Sequence, residues 1–206
     1  TKVFVLEVMG RHAGWITAAA GMAEDEATPI PLVLLFPEVP FDEARFTAAV
    51  EAKVKAHGYC CVGVSEGLLN AEGQLMADAG TRDAFGHAQL GGVGPVIAKI
   101  VKDRLNLKYH WAVADYLQRA ARHIASKTDV EHAYAVGRAA VELALAGHNA
   151  VMPAITRTSD KPYRWKITVA PLDKVANVEK KLPRDFITRD GYGITAKARA
   201  YLAPLI

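Results

Sequence analysis

The 206-residue chain is 51% hydrophobic, enough to close one ordinary domain or two small lobes around a real core, which excludes a disordered polymer. Its 25 basic and 22 acidic side chains leave a net charge of +3 with no long basic run, so electrostatics gives nucleic acid no footing. The apolar runs fall far short of a membrane span, and the first residues lack the charged and apolar regions of a signal peptide; a cytoplasmic protein is expected.

Lys2 to Val8 is a near-continuous aliphatic and aromatic run, as expected of a strand buried on both faces. Met9-Gly10-Arg11 then turns the corner into an alanine-rich helix expected over Ala13–Met22. Pro29-Ile30-Pro31 restarts the chain for a strand at Leu32–Phe36, and Pro40-Phe41-Asp42 opens a helix. Asp42 is placed there as N-cap, Phe46, Val50 and Val54 recur at helical spacing, and Gly58 is the stop. Tyr59–Val64 reads as a third strand closing at Ser65-Glu66-Gly67. Its adjacent Cys60 and Cys61 are poor partners for a disulfide and fit small core residues of a reducing compartment.

A polar, glycine-containing stretch follows from Asn70 to Gly94. Beyond it, a helix is expected over Pro95–Arg104, a strand near Leu107–Val113, and a long helix over Asp129–Gly147 with Gly147 as its stop. Asn149–Ile155 and Tyr163–Val169 read as strands, and Asp190-Gly191-Tyr192-Gly193 is turn chemistry before a last helix at Thr195–Leu202. Alternation of this kind gives an α/β fold with a largely parallel sheet. No repeat or low-complexity linker divides it.

Three places carry chemistry. Gly10 lets backbone approach a ligand, amides at a helix start face an anion, and Arg11 stands beside them; the plain alternative is a chain turn with a solvated arginine. Glu66 closes a buried strand at the end where open α/β sheets bind ligands, and a carboxylate there accepts hydrogen bonds from hydroxyls; otherwise it favours the dipole of a following helix. Tyr116-Leu117-Gln118-Arg119 offers a guanidinium fork and a phenol to one phosphate, or else is a polar helix segment. The remaining histidines show no metal-ligand spacing, and no GKS/T loop, nucleophile elbow or CxxC is present. A dinucleotide-binding domain is disfavoured because no GxGxxG follows a strand.

The run Glu7-Val8-Met9-Gly10-Arg11-His12-Ala13-Gly14-Trp15 resembles the fructose 6-phosphate-binding segment of the 6-phosphofructokinase family, and the whole chain is similar to its bacterial pyrophosphate-dependent branch. That resemblance implies Rossmann-like layers, with a fructose 6-phosphate lobe over residues 1–120 and segments of 121–206 packing across both lobes of a parent enzyme. It implies that Met9 packs on the sugar, the Gly10 amide approaches it and Arg11 meets the transferring phosphoryl group. Glu66 would bind the sugar, and Tyr116 with Arg119 its phosphate. Lys2 and Lys108 are weaker candidates, since basic groups at corresponding places reach the phosphate, some from a neighbouring subunit.

Phe85–Gly92 echoes another phosphate-binding segment of the family, but Leu90 stands at its arginine position, so Arg119 takes that role and His87 is left structural. The family's glycine-rich donor loop and the threonine-isoleucine-aspartate motif that activates the sugar hydroxyl precede the matched strand. Neither lies in these residues, so the chain reads as the C-terminal half of a longer enzyme, inactive alone. Magnesium is expected through the donor and that other half, and the parent is expected to be a dimer or tetramer. A non-catalytic sugar-phosphate-binding or regulatory subunit is the alternative.

Overall fold

Four of the expected strands line up as one parallel sheet in the computed structural model, which describes every residue except 25, 26, 28, 83–87 and 91. They are β1 (Val3–Val8), β2 (Leu32–Leu35), β3 (Cys60–Ser65) and β6 (Tyr109–Val113), in the order β2-β3-β1-β6. Val3 pairs with Cys60 on one side and Tyr109 on the other, so β1 and β3 end level at Val8 and Ser65, and β6 ends at Val113 opposite Glu7. Parallel strands need crossovers, and the sequence supplies α1 (Trp15–Ala20), α2 (Glu43–His57) and α3 (Val93–Leu105).

The caps of α2 are the predicted ones. Asp42 accepts from the Arg45 N–H at 2.9 Å, and Gly58 ends the helix at φ 83°, a left-handed conformation that glycine adopts without a Cβ penalty. Phe46 and Val50 point from α2 into a core with Val3, Val5, Val33, Val62, Val64 and, from α3, Ile97 and Val101. Phe46 is fully buried, so its truncation to alanine costs about 3–5 kcal/mol.

The expectation that β1 is buried on both faces needs correction. Val3 and Val5 are fully buried beneath α3, but Phe4 on the opposite face is 39% exposed. The physical reason is coverage: α1 has only six residues and packs mainly on β2 and β3, so on that face Phe4 stays exposed and Leu6 half-buried, and only Val8 is buried. Nor does the helix begin at Ala13. It starts at Trp15, with Gly14 as the N-cap residue.

The stretch expected to be polar loop contains two antiparallel strands, β4 (Asp78–Arg82) and β5 (Ala88–Leu90). Much of the Phe85–Gly92 segment lies outside the described residues. Another element absent from the sequence reading is a single helical turn, α4 (Leu117–Ala120), directly after β6.

The chain divides into two compact units, one formed by Thr1–Ala120 with Lys181–Ala198, the other by Ala121–Lys180 with Arg199–Ile206. In the first, the returning segment buries Leu182, Phe186 and Ile187, and Phe186 meets Trp15 edge-on at 5.9 Å. The start of α6 (Ala196–Leu202) completes it. In the second, α5 (Lys127–Leu145) packs on a long antiparallel hairpin, β7 (Val151–Asp160) and β8 (Tyr163–Pro171). Ser126 caps α5 through the Asp129 N–H, and the Arg157 guanidinium stacks on the Tyr163 and Tyr201 rings at 4.9 and 4.0 Å.

Candidate functional site

β1, β3 and β6 end side by side, and the turn that leaves each strand contributes to one cleft of about 650 Å³. Met9, Gly10 and Arg11 come from the turn after β1, Glu66 from the turn after β3, and Tyr116 and Arg119 from the turn after β6. Open α/β sheets bind ligands at this edge. Six sequence-predicted residues are therefore brought together from segments fifty or more residues apart.

The turn after β1 is held atom by atom. Its Met9 N–H donates to the Gln118 side-chain oxygen at 2.8 Å, tying it to the Tyr116–Arg119 segment. The Gly10 N–H donates to Glu66 Oε1 at 3.2 Å, while the Ser65 hydroxyl donates to the Gly10 carbonyl at 2.8 Å. Gly10 sits at φ 141°, and a Cβ there would meet the Ala13 carbonyl oxygen at 2.8 Å. Gly67 is more demanding still, since a Cβ on it would lie 1.5 Å from the Arg11 carbonyl oxygen. These contacts fix where Arg11 leaves the backbone.

Positive charge in the cleft comes from two guanidiniums. Arg119 lies 5.3 Å from the Tyr116 ring centroid, a cation–aromatic contact that pre-orders both side chains although each is exposed. A helix start was expected to supply amide donors beside Arg11, and here the structure differs. With α1 beginning at Trp15 and the Gly14 N–H given to Glu38 Oε1 at 2.9 Å, the charged group that this turn contributes to the cleft is the Arg11 side chain.

Glu7, which sequence reasoning passed over, is 1% exposed and accepts from the Gly94 N–H at 2.7 Å and the Gly92 N–H at 3.1 Å. It holds the first turn of α3 to the end of β1 and supplies the floor of the cleft. Gln118 and Ser65 were also missed as positioning groups. Their signal lies in through-space pairs 109 and 55 positions apart, which no local periodicity reveals. Asp115 lines the cleft at φ 41°, a left-handed conformation that aspartate tolerates better than most residues.

Lys2 and Lys108 do not join this cleft. The Lys2 N–H donates to the Lys108 carbonyl at 2.8 Å at the opposite edge of the sheet, the full length of β1 from Met9, on the order of 20 Å at strand rise. Within one chain they stand apart from the cleft, because a strand separates its two ends by its own length.

Two arginines, a phenol and a carboxylate converging on one cleft suit a phosphorylated polyhydroxy ligand. Residues 1–144 match the family model described as phosphofructokinase. The chain belongs to the phosphofructokinase family. It is 66% identical over its whole length to a pyrophosphate–fructose 6-phosphate 1-phosphotransferase of Methylococcus capsulatus and 62% identical to one of Halomonas elongata, covering 49% of each. A crystal structure of a pyrophosphate-dependent phosphofructokinase from Nitrosospira multiformis superposes with a TM-score of 0.87 at 59% identity, covering 100% of this chain and 48% of that one. The chain thus spans about half the length of these relatives, and its phosphofructokinase fold is the one read from its sequence.

Proposed function

We propose that this chain is the acceptor-binding half of a phosphotransferase that moves a phosphoryl group from pyrophosphate to the 1-hydroxyl of fructose 6-phosphate, a step of glycolysis. The convergence of Arg11, Glu66 and Arg119 on one cleft carries the reading. Tyr116 and Arg119 take the 6-phosphate, where a charge-assisted bidentate contact is available to the guanidinium. Met9 packs on the sugar, and Glu66 accepts from its hydroxyls through the carboxylate oxygen not engaged by Gly10. Pyrophosphate rather than ATP as donor is supported by the pyrophosphate-dependent relatives above.

In the reaction, the 1-oxygen of the sugar forms a bond to phosphorus as the bridging oxygen of pyrophosphate departs, and the hydroxyl proton passes to a base outside this chain. Fructose 1,6-bisphosphate and phosphate result. Arg11, beside the acceptor, neutralises charge that grows on the transferring group, the dominant kind of assistance in phosphoryl transfer. Magnesium is expected to travel with the donor. Among the described residues no three histidine, cysteine or carboxylate side chains converge as a metal site, so no step is assigned to the ion within this chain.

Residues 1–120 form the sugar-phosphate lobe in this reading, and the later segments serve both lobes of a dimeric or tetrameric cytoplasmic parent. No helix among the described residues is long and apolar enough to cross a membrane. The test is Arg11→Ala in the full-length enzyme. An interaction made only in the transition state lowers kcat and kcat/KM together. Loss of turnover by two orders of magnitude or more is expected, on the scale of other positioned charge donors. Unchanged turnover with a raised KM for fructose 6-phosphate would make Arg11 a ground-state ligand. A full-length protein that binds fructose 6-phosphate but forms no bisphosphate with either donor would mark a non-catalytic binding subunit.

A further inference from the structure

Behind the Arg11 turn, on the side away from the cleft, three contacts join it to the point where the chain re-enters the first unit. Glu38 Oε1 accepts from the Gly14 N–H at 2.9 Å and from the Leu182 N–H at 2.9 Å. Lys181 Nζ donates to the His12 carbonyl at 2.7 Å. Residues 181 and 182 are the first of the returning segment. One carboxylate oxygen and one ammonium thus strap two backbone segments together, nearly 170 positions apart in sequence.

Stability alone is a poor account of Glu38. Its second oxygen, Oε2, is buried and makes no hydrogen bond among the described residues, a costly arrangement for a carboxylate. The surroundings are built around it nonetheless: a Cβ on Gly14 would meet that same oxygen at 2.7 Å and the Phe36 ring at 2.9 Å. A group retained at a cost, with glycine opposite to make room, is fixing geometry.

From this we infer that Glu38, assisted by Lys181, is a positioning residue for Arg11. The cleft side of the turn is fixed by Gln118, Glu66 and Ser65, which hold Met9 and Gly10. Those contacts stop at Gly10. Beyond Arg11, the strap holds His12 and Gly14, so Glu38 and Lys181 anchor the C-terminal flank of Arg11. Reacting groups displaced by about 1 Å lose on the order of a hundredfold in rate. The inference rests on the proposed phosphoryl transfer.

The experiment compares Glu38→Ala, Glu38→Gln and Lys181→Met in the full-length enzyme, reading kcat, KM for fructose 6-phosphate, and hydrogen exchange of the Gly14 and Leu182 amides. Glu38→Ala is expected to lose roughly tenfold to a hundredfold in kcat, with KM within about twofold because Tyr116 and Arg119 are held by other elements. Glu38→Gln keeps a carbonyl oxygen with two lone pairs for both amides and should retain kcat within about threefold. Lys181→Met should lose kcat several-fold, and it carries the test if Glu38→Ala does not fold. Wild-type kcat in Glu38→Ala despite faster exchange of both amides, or wild-type kcat in Lys181→Met, overturns the inference alone. A wild-type enzyme unable to phosphorylate fructose 6-phosphate overturns the functional reading, and this inference with it.

Discussion

Replacing Gly67 by alanine places a single methyl group where the structure has no room, and the clash falls on the backbone of Arg11. The added Cβ would lie 1.5 Å from the Arg11 carbonyl oxygen, 2.4 Å from its carbonyl carbon and 3.1 Å from its Cα. Real Cβ atoms essentially never approach another heavy atom within 3.0 Å, so the Arg11 peptide, or the turn after β3 that carries Glu66, has to move by about half that distance again, 1.5 Å. Neither can yield freely. The neighbouring Gly10 is bonded to Glu66 and Ser65, and the Gly67 N–H itself donates to Ser65 Oγ at 3.3 Å.

Overpacking of this kind costs about 1–3 kcal/mol in stability. The catalytic loss should reach the upper end of that range, since a 1 Å misplacement of a positioned group is worth about a hundredfold in rate, or roughly 2.7 kcal/mol. Steady-state kinetics of full-length Gly67→Ala, with pyrophosphate and fructose 6-phosphate, should therefore show kcat down by about two orders of magnitude. Thermal unfolding of the same preparation should show a lowered but cooperative transition. A variant with parental kcat and parental melting temperature would refute the claim that this close approach sets the position of Arg11.

Arg119→Ala should mainly raise the KM for fructose 6-phosphate, by about 1.5–3 kcal/mol for a lost charge-assisted contact, roughly tenfold to a hundredfold, with the donor constant little changed. A raised donor constant, or rescue by Leu90→Arg, would return the phosphate grip to the Phe85–Gly92 segment. Burial, reinforced by the neighbouring Cys61, pushes the Cys60 thiol up to about 12, and burial also raises Cys61. Native protein at pH 8 should accordingly resist iodoacetamide at both positions and react at both once unfolded, and stoichiometric labelling of the native form would contradict this. Asp190 is raised by burial, but the Thr188 hydroxyl, the Tyr192 N–H and the Arg45 charge outweigh that and hold it below its ordinary 3.8. Its folded pKa being depressed, it contributes stability that is complete above the ordinary value and lost as pH falls through the lower one, so Asp190→Asn should lower the melting temperature at pH 7 and have a smaller effect near pH 2.

What could be read from the sequence divides by the distance over which each signal acts. Asp42 as a cap, Gly58 as a left-handed stop, and Gly147 in the same conformation after α5 are consequences of one residue and its nearest neighbours, and each stands where the pattern put it. The strands of the parallel sheet were legible for a similar reason, because an apolar run needs only burial to become one. Exposure of Phe4 was not, since it depends on which strands a six-residue helix covers. The same division holds within the site. Arg11, Glu66 and Arg119 share one cleft because their short motifs sit at strand ends on the same side of the sheet, whereas Lys2 and Lys108 lie at the other end of β1 in this chain.

The groups that determine where Arg11 stands left the weakest trace. Gln118, Ser65, Gly67 and Glu38 are each unremarkable in their own segments, and each matters through a partner brought near only by the closed sheet and the returning chain. A phosphate-binding arginine is recognisable by its chemistry, because charge and fork geometry belong to the side chain itself. Its precision is a property of backbone contacts made from behind and beside it. On the proposed reading, substitutions at Gly67 or Glu38 should leave the cleft-lining side chains intact and still lower turnover, through the one coordinate that the motif does not encode, the position of the Arg11 backbone.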